Sequence, residues 1–202
     1  MQAKDKENLR WFYETELDKY GVDYRSLHWN SARSQLVRFD VLKDIGLDRG
    51  CSVLDIGCGL GDLYGYLKER IGVFTYVGYD ISPKMVETAS ERFPEACFMV
   101  RDLLEEGCEP GSFDYVVASG TFNVKISGHD SFLKDMISAM YCACKKGIGF
   151  NLLERMDYDW YSSDLFYSAS PEEVIAFCNT LSPRTEVRTE YLPGDFTVFL
   201  YK

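Results

Sequence analysis

The chain predicts an α/β fold: an open, doubly wound and mostly parallel sheet with helices on both faces. Three observations carry that prediction. Short apolar runs alternate with helix-periodic segments from residue 52 onward, the pattern of strands joined by crossover helices. A glycine-rich turn, "VLDIGCGLGDL" (53–63), follows the first apolar run. Two β-rich runs close the chain, joined through "PGD", and so short a link makes that last pair antiparallel.

The elements follow in order. Leu9, Phe12, Leu17 and Tyr20 recur near helical spacing, and Gly21 fits a helix C-cap. A second helix carries Leu36, Phe39 and Leu42 and ends at Gly46. Between them "VDYRSLHWNSARSQ" is aromatic and polar without a period. "SVLDIG" reads as a buried strand, and Leu60, Tyr64, Leu67 and Ile71 mark one helix face after it. "FTYVGYD" is the next strand. Ser82–Pro83 places an N-cap before proline at the first helical position, and Val86, Ala89 and Phe93 continue that helix to Pro94. "CFMVRD" and "FDYVVASG" are strands three and four. Phe132, Met136, Ala139 and Ala143 line a long helix, and "GIGFNLLE" is strand five. Ser170–Pro171–Glu172–Glu173 forms a capping box opening a helix with Val174, Phe177 and Cys178 inward. "TEVRTEYL" and "FTVFLYK" make the terminal pair, with one strand reversed.

Composition narrows the function. A chain of 202 residues fits one domain, read here as 1–202, with a helical cap at 1–48, a core at 49–202 and a lid inserted at 154–170. A net charge of −10 argues against nucleic acid as the main partner, since phosphate binding needs a basic face. No run of about 18 apolar residues points to a membrane span, and the charged N-terminus lacks a signal-peptide core. Seven scattered cysteines without C-x-x-C read as reduced, mostly buried thiols, which suits a cytoplasmic setting.

In an open parallel sheet, ligands bind outside the carboxyl ends of the strands. Gly57, Gly59 and Gly61 stand there, where glycine lets a ligand approach the backbone and the next helix offers its free N–H groups. A dinucleotide fingerprint, G-x-G-x-x-G, needs its third glycine three positions after the second; here it comes two after. Asp55 ends the first strand. That carboxylate would repel a pyrophosphate and favour a cationic ligand. Asp80 and Asp102 end the next two strands. An acid at the second suits a ribose diol, and one at the third suits the amino group of a purine.

"VLDIGCGLGDL", "YVGYDIS", "FMVRDLLE" and "FDYVVASGTFN" together resemble the ordered motifs of class I S-adenosylmethionine (SAM)-dependent methyltransferases, over roughly 52–154. The resemblance implies a seven-stranded Rossmann-like sheet with its last strand reversed. It also implies SAM as cofactor and S-adenosylhomocysteine (SAH) as product; no metal is expected, for want of an acidic metal cluster in the sequence. By position, the loop from Asp55 through Gly57, Cys58, Gly59 and Gly61 would hold the methionine part of SAM. Asp80 would bind the ribose hydroxyls with Ile81 against adenine, Asp102 the adenine amino group with Leu103 beside it, and Ser119 would line the methyl end. Arg38 or Gln35 would supply donors for the SAM carboxylate.

Methyl transfer from a sulfonium is a direct displacement, so positioning is the protein's main task and a base is needed only for a protonated acceptor. "SGTFN" (Ser119–Asn123) departs from the Asn/Asp-Pro-Pro-Tyr/Phe pattern of enzymes that methylate base amino groups, and no acidic cluster of the catechol type is present. The expected acceptor is therefore a small molecule. Its pocket is expected from 24–39 and 154–170, with Tyr24, His28, Trp29, Asn123, Tyr158, Trp160, Tyr161 and Tyr167 as candidates. His28 is the candidate base, and His129 starts a helix or faces water. A protein methyltransferase and a non-catalytic SAM-binding module stay open as alternatives; a nicotinamide-dependent oxidoreductase is disfavoured by the glycine spacing.

Overall fold

A computed structural model describes residues 1–154 and 165–202. The chain opens with α1 (Ala3–Tyr20), a 3-10 turn (Tyr24–Leu27) and α2 (Ala32–Lys43). It then alternates through β1 (Ser52–Ile56), α3 (Asp62–Ile71), β2 (Thr75–Asp80), α4 (Pro83–Arg92), β3 (Cys97–Val100) and α5 (Leu103–Glu106). β4 (Phe113–Ala118), α6 (His129–Ala143), β5 (Cys144–Leu153), α7 (Pro171–Leu181), β6 (Thr185–Arg188) and β7 (Asp195–Tyr201) complete it.

The strands form one seven-stranded sheet in the order β3-β2-β1-β4-β5-β7-β6. β7 runs antiparallel to both β5 and β6, and the other pairings are parallel. The chain winds outward from β1 to β3, then returns to lay β4 on the other side of β1. That reversal opens a crevice at the carboxyl ends of β1 and β4.

Period-two alternation sends neighbouring residues to opposite faces. Leu54, Ile56, Val116 and Ala118 pack with Phe132, Met136, Ile137 and Met140 of α6. Val53 and Val117 pack on the other side with Phe39 and Leu42 of α2 and Leu63 and Leu67 of α3. β7 lies between two strands, and all its residues but Tyr201 are buried, which explains its unbroken apolar run. The Ser82 hydroxyl accepts the Met85 N–H, and Ser170 caps α7 through the Glu173 N–H. In that box it is Glu172, not Glu173, whose carboxylate accepts from the Ser170 hydroxyl.

Three local details differ from the sequence expectation. α2 stops at Lys43, short of Gly46, and a turn carries Leu42 to Leu47. β5 starts at Cys144, directly after α6, where a register shift opposite Phe113–Tyr115 absorbs the extra residues. α5 is a single turn with no periodic signature, made by Asp102 capping the Leu104 N–H.

Candidate active site

A cavity of about 1120 Å³, measured out to its mouth, lies at the carboxyl ends of β1, β2 and β4. The glycine loop forms its floor. The Gly57 and Cys58 N–H groups both donate to the Tyr79 carbonyl, at 2.7 and 3.1 Å, tying the loop to the end of β2. Gly57 has φ +70°, and a Cβ there would meet the Thr121 hydroxyl at 2.6 Å, so a side chain is excluded by both backbone and space. The Gly59 N–H donates to Asp80 Oδ2 at 2.9 Å.

Four carboxylates line this cavity, each in a different state. Asp55 is 2% exposed and accepts the Tyr76 hydroxyl at 2.6 Å. Burial pushes its carboxyl up to about 7, with Asp80 and Asp62 adding to the rise and the Tyr76 hydrogen bond opposing it. Asp80 accepts one backbone N–H on each oxygen, from Gly59 and from Ser82 at 2.8 Å. Burial raises it too, against those hydrogen bonds. An ionised carboxylate offers about four lone-pair sites, so each Asp80 oxygen keeps acceptor capacity. Asp62 is already compensated by Gln35 at 2.9 Å and Arg92 at 2.8 Å. Asp102 caps α5 with Oδ1 and pairs with Lys6 through Oδ2 at 2.7 Å. Among the described residues, Asp55 and Asp80 have no ion-pair partner.

The raised Asp55 carboxyl has a stability consequence. Between its ordinary value of 3.8 and about 7, the folded chain holds a proton that the unfolded chain has released. The group therefore favours folding most at low pH, and that contribution is lost as pH rises through about 7. Asp55→Asn keeps an oxygen for Tyr76 and removes the titration. The melting temperature of the ligand-free protein minus that of Asp55→Asn is expected to fall from pH 5 to pH 8; a flat difference would refute the assignment.

At the β4 end, the Gly120 N–H donates to Asn151 Oδ1 at 2.8 Å and Asn151 Nδ2 donates to the Ser119 hydroxyl at 3.1 Å, so β5 fixes the Ser119–Thr121 wall. The apolar wall comes from α1 (Leu9, Tyr13), from Met85 and from Phe132 and Met136 of α6. α1 is held over the site by Arg10, donating to the Ile81 carbonyl at 2.5 Å, and by Glu14, accepting from Ser82 at 2.7 Å. The sequence reading missed Tyr13, Lys6, Met85 and Thr121. Tyr13, Lys6 and Met85 lie in no quoted motif, and only the fold of α1 back onto β2 and α5 brings the first two here; Thr121 stands inside "FDYVVASGTFN" but was not singled out.

A second cavity of about 420 Å³ adjoins the first. Trp29 lines both. A Cβ at Gly120 would meet the Trp29 ring at 2.6 Å, so that glycine is what lets the indole sit at the boundary. His28 and Asn123 line the smaller cavity together with Arg38, Phe166 and Asp195. His28 Nε2 lies 3.4 Å from the Glu16 carboxylate, its ring stacks on Phe12 at 4.4 Å, and burial lowers its pKa.

The structure thus gathers Asp55, Gly57, Cys58, Gly59, Asp80, Ile81, Asp102, Leu103 and Ser119 around one cavity. Other expectations need correcting. Arg38 does not reach that cavity: its guanidinium is bidentate on Asp195, at 2.9 and 2.5 Å, and donates to the Ser34 carbonyl. Gln35, one turn earlier, does line it. Gly61 caps α3 and packs under Phe98 rather than lining the cavity. Tyr24 borders neither cavity and sits beside the Arg25 guanidinium. Tyr167 stacks on His129 at 3.7 Å and donates to Asp130. Tyr158, Trp160 and Tyr161 lie outside the described residues. His129 opens α6 and is buried, which pushes its pKa down to about 4.

The donor set fits SAM. Two carboxylates without an ion-pair partner, Asp55 buried and Asp80 half-buried, suit a ligand bearing a sulfonium and an ammonium, and the spare lone pairs of Asp80 suit a diol. Comparison with known proteins points the same way. Residues 53–147 match the family model described as "Methyltransferase domain". Rv1506c of Mycobacterium tuberculosis (strain ATCC 25618 / H37Rv), a methyltransferase by name, is 31% identical over 160 residues, 75% of this chain and 93% of that protein. Trans-aconitate 2-methyltransferase of Paracidovorax citrulli (strain AAC00-1) is 27% identical over 101 residues, 50% of this chain and 39% of that enzyme. Among solved structures, magnesium protoporphyrin IX methyltransferase of Synechocystis PCC 6803 with bound SAH has a TM-score of 0.69 at 18% identity, covering 98% of this chain and 99% of that one; at that identity the likeness shows the fold. With its sheet order, glycine loop and strand-end acids, the chain belongs to the class I SAM-dependent methyltransferases.

Proposed function

We propose that this methyltransferase transfers the methyl group of SAM to a small-molecule acceptor by direct in-line displacement, releasing SAH. The observation that carries the small-molecule reading is the second cavity, which adjoins the first at Trp29 and is lined by His28, Asn123 and Phe166. The acidic charge of −10 also disfavours a nucleic acid. The relatives' names are divided: trans-aconitate and magnesium protoporphyrin IX are small molecules, whereas the ribosomal protein L11 methyltransferase of Burkholderia multivorans (strain ATCC 17616 / 249), 41% identical over 70 residues and 35% of this chain, acts by name on a protein.

In this reading each residue has a stated task. Asp80 accepts the two ribose hydroxyls on the lone pairs that Gly59 and Ser82 leave free, and Ile81 packs on adenine. Asp102 receives the adenine amino group while sharing its charge with Lys6, and Leu103 contributes its backbone. The glycine loop holds the methionine part, and Gln35 takes over from Arg38 as a donor for its carboxylate. Bound SAM supplies a methyl carbon on a positively charged sulfur. Asp55 balances that charge, and Ser119 and the β4 turn bound the space where the acceptor approaches. For an acceptor that arrives protonated, His28 takes the proton; burial keeps it neutral and Glu16 stabilises its charged form. Direct displacement needs no metal ion, and the cytoplasm is the expected setting.

The test is incubation with methyl-labelled SAM and a cell extract, followed by size fractionation. Label in the small-molecule fraction is expected. Label confined to protein would make this a protein methyltransferase, and SAM binding without any transfer would make it a non-catalytic module.

A further inference from the structure

The smaller cavity has a polarity of its own. The indole N–H of Trp29 and the Oδ1 of Asn123 are both buried without a hydrogen-bond partner, and both residues line this cavity. One is a donor only and the other an acceptor only. A buried polar atom left unpaired costs about 1–3 kcal/mol, and native structures hold few of them. Arg38 and Asp195 neutralise each other here, and His28 Nε2, 3.4 Å from the Glu16 carboxylate, is a third buried polar atom on this cavity without a hydrogen-bond partner. The remaining walls include Phe166 and Pro193.

The turn that carries Asn123 also joins the two cavities. The Asn123 N–H donates to the Gly120 carbonyl at 3.2 Å. Gly120 and Thr121 border the larger cavity and Asn123 the smaller, with Trp29 bordering both. A molecule hydrogen-bonded to Trp29 and Asn123 therefore lies against the same turn that walls the cofactor cavity.

We propose that Trp29 and Asn123 form the acceptor-recognition pair, and that the acceptor is a compact, uncharged molecule carrying a carbonyl or hydroxyl oxygen beside an N–H or O–H donor, as in an amide. The oxygen accepts from Trp29 Nε1 and the N–H or O–H donates to Asn123 Oδ1. This rests on reading the larger cavity as the SAM site.

Benzamide is the probe, because it offers that donor–acceptor pair on a flat body; benzoate is its charged counterpart. Ligand-observed NMR titrations use the full chain saturated with SAH. Benzamide is expected to bind and benzoate to bind at least tenfold more weakly. Asn123→Leu, with SAH affinity unchanged by calorimetry, and Trp29→Phe, which keeps an aromatic wall at Gly120, are each expected to weaken benzamide about tenfold. Equal binding of benzamide and benzoate, unchanged affinity in Asn123→Leu, or no benzamide binding by the wild type would each overturn the proposal. Should SAH itself fail to bind, the cofactor reading falls, and the same benzamide titration on the ligand-free chain still decides the recognition pair. Asn123 is half-buried in a turn and keeps the test available where Trp29→Phe unfolds.

Discussion

Asp80→Ala is expected to weaken SAM binding at least 100-fold. In the proposed site its carboxylate accepts two hydroxyl hydrogen bonds, and a hydrogen bond to a charged group contributes about 1.5–3 kcal/mol. Losing both removes about 3–6 kcal/mol, and each 1.4 kcal/mol is a factor of about ten. A second effect adds to it. The same carboxylate accepts the Gly59 and Ser82 N–H groups, so the alanine variant also removes one of the three bonds that tie the glycine loop to the end of β2. Asp80→Asn separates the two contributions, because its amide oxygen still accepts while one acceptor position becomes a donor. Its loss should fall between wild type and alanine. Titration calorimetry with SAM and with SAH reads both variants, and circular dichroism shows whether they remain folded. Wild-type affinity in folded Asp80→Ala would remove the ribose assignment.

Asp195→Ala should produce the largest change in stability. Arg38 and Asp195 are each about 5% exposed, separated by 157 residues in sequence, and joined by two hydrogen bonds that pin α2 to the start of β7. Removing one partner of such a pair strands a buried charge and costs about 3–5 kcal/mol. For a chain of this size each kcal/mol lowers the melting temperature by about 2–4 °C, so a fall of roughly 6–20 °C is expected. The double variant Arg38→Met with Asp195→Leu should recover most of it, since the desolvation cost then disappears with the charges. A fall in the single variant that the double variant does not reduce would show that the ion pair is not the cause. A single variant within 2 °C of wild type would show that Arg38 finds another partner.

The strand pattern was readable because each buried strand is a local apolar run and each helix start has a chemical marker. Ser82–Pro83 and Ser170–Pro171 cap their helices as their residue types dictate, and "PGD" does force an antiparallel return. The glycine and aspartate positions were readable for a similar reason: a loop at a strand end must satisfy local backbone geometry and display its side chains at fixed spacing. Reading ended where contacts join distant segments. Arg38 looked like a donor for a ligand carboxylate because a helix arginine wants a carboxylate, and it has one, but the carboxylate belongs to Asp195. Tyr24 and Tyr167 looked like pocket aromatics because aromatics near strand ends often are; their actual neighbours are Arg25 and His129.

By itself, then, the sequence determined the α/β winding, the reversed last strand and the set of strand-end carboxylates, all consequences of local periodicity and loop chemistry. Only the tertiary structure decided which carboxylates stay unpaired. Lys6 arrives at Asp102 and Arg92 at Asp62 from other elements, whereas Asp55 and Asp80 form no ion pair among the described residues, the Arg10 charge acting on Asp80 only from a distance. It also decided that Trp29 and Asn123 share one cavity, an encounter between residues 94 positions apart. Long-range packing sets such encounters, because burial and electrostatics act through space and the chain's local pattern does not encode them.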